Sequence, residues 1–154
     1  MLLSENSIKL FEEFFGECDL CEDIEFPKTK VFARRGAWFL TNILLVDGIT
    51  LGRHVFVNPK HIWRDRKKNL RIEQKLMAHE FVHVLQYARL GFLKFLWIYL
   101  RDFLRIFRKK EKWSLESWFE SYREIPHEIE ARKLADEFMV WNEERQSEST
   151  TSLS

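Results

Sequence analysis

The sequence predicts an α+β domain, and three observations predict it. Residues with strand preference, β-branched and aromatic, crowd the stretch from Val31 to Val57. An uncharged helical run from Leu76 to Leu85 surrounds three polar residues, His79, Glu80 and His83. A second amphipathic helix follows Pro126, with Ala131, Leu134, Ala135, Phe138 and Trp141 on one face at 3.6-residue spacing. The expected architecture is a small antiparallel or mixed sheet packed on the helix that carries His79 and His83, with further helices C-terminal to it.

Taken in order, Ser7 to Phe15 reads as a short amphipathic helix and Glu17 to Lys30 as a loop holding Pro27. Cys18 and Cys21 lie in that loop. They are the only two cysteines, so no second pair exists to complete a structural zinc ribbon, and they read as reduced surface thiols. Val31 to Ala33, Ala37 to Leu45 and Ile49 to Val57 read as strands, with Asp47-Gly48 as the hairpin turn. His54-Val55-Phe56-Val57-Asn58 is the candidate sheet edge for pairing with an extended peptide; the competing reading is a core strand ending at Pro59. Asn69 is placed to cap a helix of about twenty residues that Gly91 follows.

Phe92 to Phe107 is apolar but broken by Lys94, Arg101, Asp102 and Arg105, too short and too charged to span a bilayer. A helix packed on the core is the simpler reading. The alternative is peripheral membrane contact through residues 92–112, with Trp and Phe inserted and the basic stretch touching acidic headgroups. Residues 109–121, with Trp113, Trp118 and Phe119, are expected to form a loop and helix start that lids a cleft. Residues 1–145 thus form one domain, and the Ser/Thr-rich residues 146–154 are expected to be disordered.

Composition bounds the function. With 154 residues, 45% hydrophobic and 15% aromatic, the chain can bury one core, and a net charge of +1 argues against a general nucleic-acid binder. The basic stretches Arg64 to Lys68 and Arg101 to Lys112 read as solvated faces. Met1-Leu2-Leu3 is followed at once by Ser4, Glu5 and Asn6 rather than by an apolar stretch, so no signal peptide is read and the expected location is the cytoplasm.

His79-Glu80-Phe81-Val82-His83 is an HExxH word. Residues four apart share a helix face, so His79 and His83 can aim two imidazoles at one ion. Glu80 lies about a hundred degrees round the helix, beside the ion, where a general base belongs. Burying these three without a metal would be costly. A catalytic zinc site needs a third protein ligand, and the segment after Pro126 offers Glu128 and Glu130 on opposite flanks of the apolar face, with His127 nearer its centre.

These words resemble the gluzincins, the zincin class whose third ligand is a Glu on a later helix, three residues before an Ala. Ala131 then places the ligand at Glu128. The Asp that usually follows the Ala is Arg132 here, so the group that orients the histidines must differ. A closer likeness is to small bacterial zincin-like domains carrying His-Glu-x-x-His-x-x-Gln, then Gly, Tyr and Pro-x-Glu-x-Glu-Ala. This chain matches with His79 through Gln86, Gly91, Tyr122 and Pro126 through Ala131, over roughly residues 45 to 140. The resemblance implies a zincin-like fold and a zinc metallopeptidase acting on a peptide or protein substrate.

The expected chemistry is amide hydrolysis, with one Zn²⁺ held by His79, His83 and Glu128 and with Glu80 as base to the water it activates. Tyr122, His127 and His54 are candidates to polarise the substrate, and Gln86 to support the ligands. The rival is a catalytically silent zincin-like binding or scaffold domain, for which an intact Glu80 would have no use. An effector cleaving one cellular protein is a third reading. The sequence does not specify the substrate or the oligomeric state.

Overall fold

The computed structural model describes residues 5–16, 27–32, 37–38, 41–42, 46–66 and 70–151. The elements are α1 (Glu5–Gly16), β1 (Lys30–Phe32), β2 (Gly48–Leu51), β3 (His54–Val57), a 3₁₀ turn (Pro59–His61), β4 (Ile62–Arg64), β5 (Leu70–Ile72), α2 (Gln74–Leu90), α3 (Phe92–Phe107), α4 (Leu115–Arg123) and α5 (Pro126–Thr151). The expected α+β class holds. The Cys18-x-x-Cys21 word, Ala33 and Asn69 lie outside the described residues.

The three-stranded sheet has the order β1-β3-β2. β1 pairs with β3 in parallel and β2 pairs with it antiparallel, Gly48 opposite Val57 and Leu51 opposite His54. Period-2 alternation turns Val31, Val55 and Val57 into the core. β3 is therefore the middle strand, so of the two readings of His54 to Asn58 the core strand ending at Pro59 holds and the substrate-binding edge does not. The edge beside α2 is β2. A second antiparallel pair, β4 with β5, flanks the basic stretch that starts at Arg64, whose charges give no local strand signal.

Two further expectations fail for identifiable reasons. Ala37, Trp38, Thr41 and Asn42 are helical, not extended. There the Thr41 hydroxyl donates to the Ala37 carbonyl at 2.8 Å and the Asn42 amide to the Trp38 carbonyl at 2.7 Å, local bonds that periodicity cannot reveal. The hairpin turns at Gly52, whose φ is 61°, not at Asp47-Gly48. Asp47 instead faces Lys60 and His61, and its carbonyl accepts from the Asn58 N–H at 2.9 Å. Gly48 is the first residue of β2, and its role lies in the site.

The core sits between α2, α5, α1 and the inner face of the sheet. Phe81 of α2 stacks on Phe11 at 4.9 Å, and Phe138 of α5 meets Phe11 at 5.0 Å. Phe15, Phe81, Val82, Leu85, Ala131 and Phe138 are at most 1% exposed. Since α2 packs sheet on one side and α5 on the other, both His79–His83 and the first turn of α5 are carried by the most deeply buried scaffold. α2 starts at Gln74, five residues after the expected cap, because Leu70 to Ile72 are taken into β5. Gly91 ends it as expected, its N–H bonding the Tyr87 carbonyl.

α3 packs less fully than the simpler sequence reading held: Phe95 is its one buried residue. α5 runs on to Thr151, so residues 146–151 are helical where composition pointed to disorder. Extending a helix already docked at Phe138 and Trp141 requires no new nucleus. Among the described residues, no helix is long and apolar enough to cross a membrane.

Candidate metal centre

Three side chains from two helices converge. His79 Nε2 and His83 Nε2 lie 3.2 Å apart, Glu128 Oε2 lies 3.2 Å from His79 Nε2, and Glu128 Oε1 lies 3.2 Å from His83 Nε2. The one ligand atom that each residue offers falls within 4.8 Å of the others, and His79, His83 and Glu128 form a group that could hold a metal ion. Glu128 is 2% exposed, and its Oε2 is buried without a hydrogen-bond donor. Converging imidazole and carboxylate lone pairs around one point are the arrangement that a divalent cation resolves, and two nitrogens with one oxygen suit zinc.

The hydrogen bonds around Gln86 determine the tautomer of His83. The Gln86 amide nitrogen donates to Glu130 Oε2 at 2.7 Å and to the His127 carbonyl at 3.2 Å. Both partners are acceptors, so Gln86 Oε1, 2.8 Å from His83 Nδ1, must accept. His83 Nδ1 then carries a hydrogen, so Nε2, which faces Glu128 and His79, is the nitrogen that would bind an ion once it gives up its own proton. Glu130 thus stands one bond behind Gln86 instead of beside the imidazoles. This chain of bonds orients His83.

Glu80 is 3% exposed and lies outside the ligand group. The Thr50 hydroxyl of β2 donates to its Oε2 at 2.7 Å. On its other side the main chain of Gly48 approaches so closely that a Cβ there would overlap Glu80 Oε1. The glycine of the Asp47-Gly48 word is a space for the Glu80 carboxylate, not a turn residue. Tyr99 of α3 donates to Glu128 Oε1 at 2.7 Å. The roles of Gly48, Thr50 and Tyr99 depend on neighbours distant in the chain: Gly48 reads locally as a turn residue, Thr50 gives no local signal, and the hydroxyl of Tyr99 within the apolar run 92–107 is the one available hint.

Electrostatics follow burial and charge. Burial pushes the Glu80 carboxyl up, against the pull of His83, His79 and Thr50. Burial would also raise Glu128, yet His83 and His79 hold it well below the usual carboxylate range. Burial alone would lower His83, but the Glu128 carboxylate overrides it and lifts the metal-free imidazole to about 9. Burial and the nearby carboxylates keep the Tyr99 and Tyr122 phenols protonated.

A cavity of about 410 Å³ opens beside this group. Its polar floor is Glu80, His83 and Glu128, one wall is the β2 edge from Gly48 to Leu51, and the other is α3 and α4, through Leu96, Phe103, Trp118 and Tyr122. Of the residues proposed to polarise a substrate, Tyr122 lines this cavity. His127 instead stacks on Phe95 at 5.0 Å, and His54 lies against Phe32 at 5.8 Å. His127 and His54 are thus placed apart from the group by their packing, the first on the α3 side of α5 and the second on the middle strand.

A family model, the eCIS core domain, matches residues 30–91. That domain belongs to the zincin-like metallopeptidase clan, and the α+β arrangement with its small mixed sheet agrees with it. The match spans β1 through α2, and so includes Gly48, Thr50, His79, Glu80, His83 and Gln86. Tyr99, Tyr122, Glu128 and Glu130 lie beyond it, on the helices that complete the cavity. No curated protein and no solved structure matches the chain.

Proposed function

We propose that the chain is a zinc-dependent peptide-bond hydrolase in which His79, His83 and Glu128 hold one ion and Glu80 is the general base. One observation carries the reading: Glu80 is a buried carboxylate that faces the same cavity as His83 and Glu128 while standing outside the ligand group. A structural metal site has no use for such a group. Bound zinc would supply Lewis acidity and a water of lowered pKa.

The chain's own residues do the rest. Thr50 occupies Glu80 Oε2, leaving Oε1, beside Gly48, to take a proton and pass it to the leaving nitrogen. Tyr122, protonated and facing the cavity, is suited to donate to the carbonyl oxygen as charge develops. An extended substrate would pair its main chain along β2. The apolar walls would receive a bulky apolar side chain next to the scissile bond.

The reading is tested by digesting a diverse peptide library with zinc-loaded protein and mapping the cuts by mass spectrometry. Cleavage beside bulky apolar residues, lost on chelation and restored by zinc, is the expected result. Zinc-loaded protein no more active than its Glu80→Gln variant would overturn it in favour of a scaffold.

Two substitutions probe the supports. Gly48→Ala adds a methyl group where Glu80 Oε1 lies, and should lower kcat on the order of a hundredfold with metal content unchanged. Gln86→Leu removes the acceptor that orients His83, and zinc affinity measured by chelator competition should fall about 10- to 100-fold.

A further inference from the structure

On α3 the apolar residues that do not face the protein form an ordered line. Leu93, Trp97, Leu100 and Leu104 are 79%, 62%, 50% and 46% exposed and follow the spacing i, i+4, i+7, i+11. At 3.6 residues per turn they occupy one stripe about 16 Å long, directly opposite the buried Phe95. Trp113, itself 75% exposed, packs on Phe107 at 5.4 Å and carries the stripe past the helix end. Scattered exposed leucines are ordinary, but a contiguous ridge of this kind marks a contact surface.

The flanks of the stripe are unlike each other. On one side the 3.6-residue repeat aligns Lys94, Arg101, Arg105 and Arg108 in a basic column. Arg101 lies over the Trp97 ring at 5.0 Å. Among the described residues no carboxylate pairs with Lys94, Arg105 or Arg108, and the segment from Phe92 to Lys112 carries seven basic residues against Asp102 and Glu111. On the other side lie Leu96 and Phe103, which line the cavity, and Leu100 belongs to both the stripe and the cavity wall.

We propose that this face of α3 seats on an anionic membrane surface, with the Leu/Trp ridge entering the interface and the basic column against the headgroups. A ridge of Leu and Trp bordered by a basic column suits a lipid surface; Arg101 of that column is paired with Asp102, while Lys94, Arg105 and Arg108 have no carboxylate partner among the described residues. A second copy of the chain would bring its own basic column to the contact. The cavity mouth, bordered by Leu100, would then open beside the bilayer. The proposal does not depend on hydrolysis: it requires only α3, and Glu80→Gln should bind membranes as the wild type does.

Flotation with phosphatidylcholine vesicles, and with the same vesicles containing phosphatidylglycerol, tests it. Wild type should float with the anionic vesicles and be released by high salt. Leu93→Ser with Trp97→Ser and Leu104→Ser should abolish flotation, with helicity by circular dichroism unchanged because all three sites are exposed. Lys94→Gln with Arg105→Gln and Arg108→Gln should weaken anionic binding on the order of a hundredfold, about fivefold per cation. No flotation, or flotation that neither variant diminishes, would overturn the proposal. So would light scattering that showed the stripe closing a dimer in protein that does not bind vesicles.

Discussion

Replacing Glu80 with Gln is expected to lower kcat by about 10²- to 10⁴-fold, the span that a positioned acid–base group contributes. Gln has nearly the shape of Glu and can still accept from Thr50, so the β2 contact survives while proton uptake does not. Zinc content should not change, because Glu80 is not in the ligand group. A second readout is independent of turnover. Burial raises the Glu80 carboxyl in the folded chain, so ionised Glu80 costs stability as pH rises above its unfolded value near 4.5. A neutral Gln avoids that cost, and the metal-free variant should melt a few degrees higher than wild type at neutral pH. Loss of activity with loss of stability would instead mean a damaged fold.

Glu128→Ala should lower zinc affinity by at least about a hundredfold, since the two imidazoles that remain do not make a zinc site. Without metal the same carboxylate pairs with His83, so the variant also alters stability in a defined pH window. His83 titrates at about 9 in the folded chain against 6.5 unfolded, and its contribution is complete below 6.5 and lost as pH rises through 9. Glu128 is depressed, so its contribution is present above its unfolded value of 4.5 and lost as pH falls below it. The gap in Tm between metal-free wild type and the variant should therefore be widest between about 4.5 and 6.5 and close above 9. Zinc uptake by wild type should release a proton at neutral pH, with affinity rising up to about tenfold per pH unit until 9. Calorimetry in buffers of different ionisation enthalpy reads that proton, and its absence would count against Glu128 as the partner of His83.

Much of the site was legible because helices are locally periodic. His79 and His83 share a face by their spacing alone, and Glu80 is displaced from that face by a single residue. Legibility failed where geometry depended on an element far away in the chain. Asp47-Gly48 has turn chemistry, yet the glycine is required by the Glu80 carboxylate, some thirty residues on. His54 to Val57 alternates as an edge or a middle strand would, and only its two partners, β1 and β2, distinguish the cases. The segment from Ala37 reads as strand from its aliphatic residues, while the Thr41 and Asn42 side chains bond back to the main chain within a helical turn.

By itself the sequence determined the α+β class, the helix that carries two imidazoles and a carboxylate, and the choice of Glu128 or Glu130 as the acidic residue to meet them. It could do so because each is a matter of residue type and of a 3.6- or 2-residue repeat, both written into neighbouring positions. The residues after Pro126 left Glu128 and Glu130 open and only the resemblance pointed to Glu128, the carboxylate that the tertiary structure brings to the imidazoles; tertiary structure alone decided that β2 and not β3 borders the cavity, and that α3 leaves a Leu/Trp ridge in solvent. Glu128 and Glu130 sit about 200° apart on one helix, and the docking of α5 against α2 turns one to His79 and His83 and the other to Gln86. Such choices are set by how whole faces pack, and no local pattern carries that information.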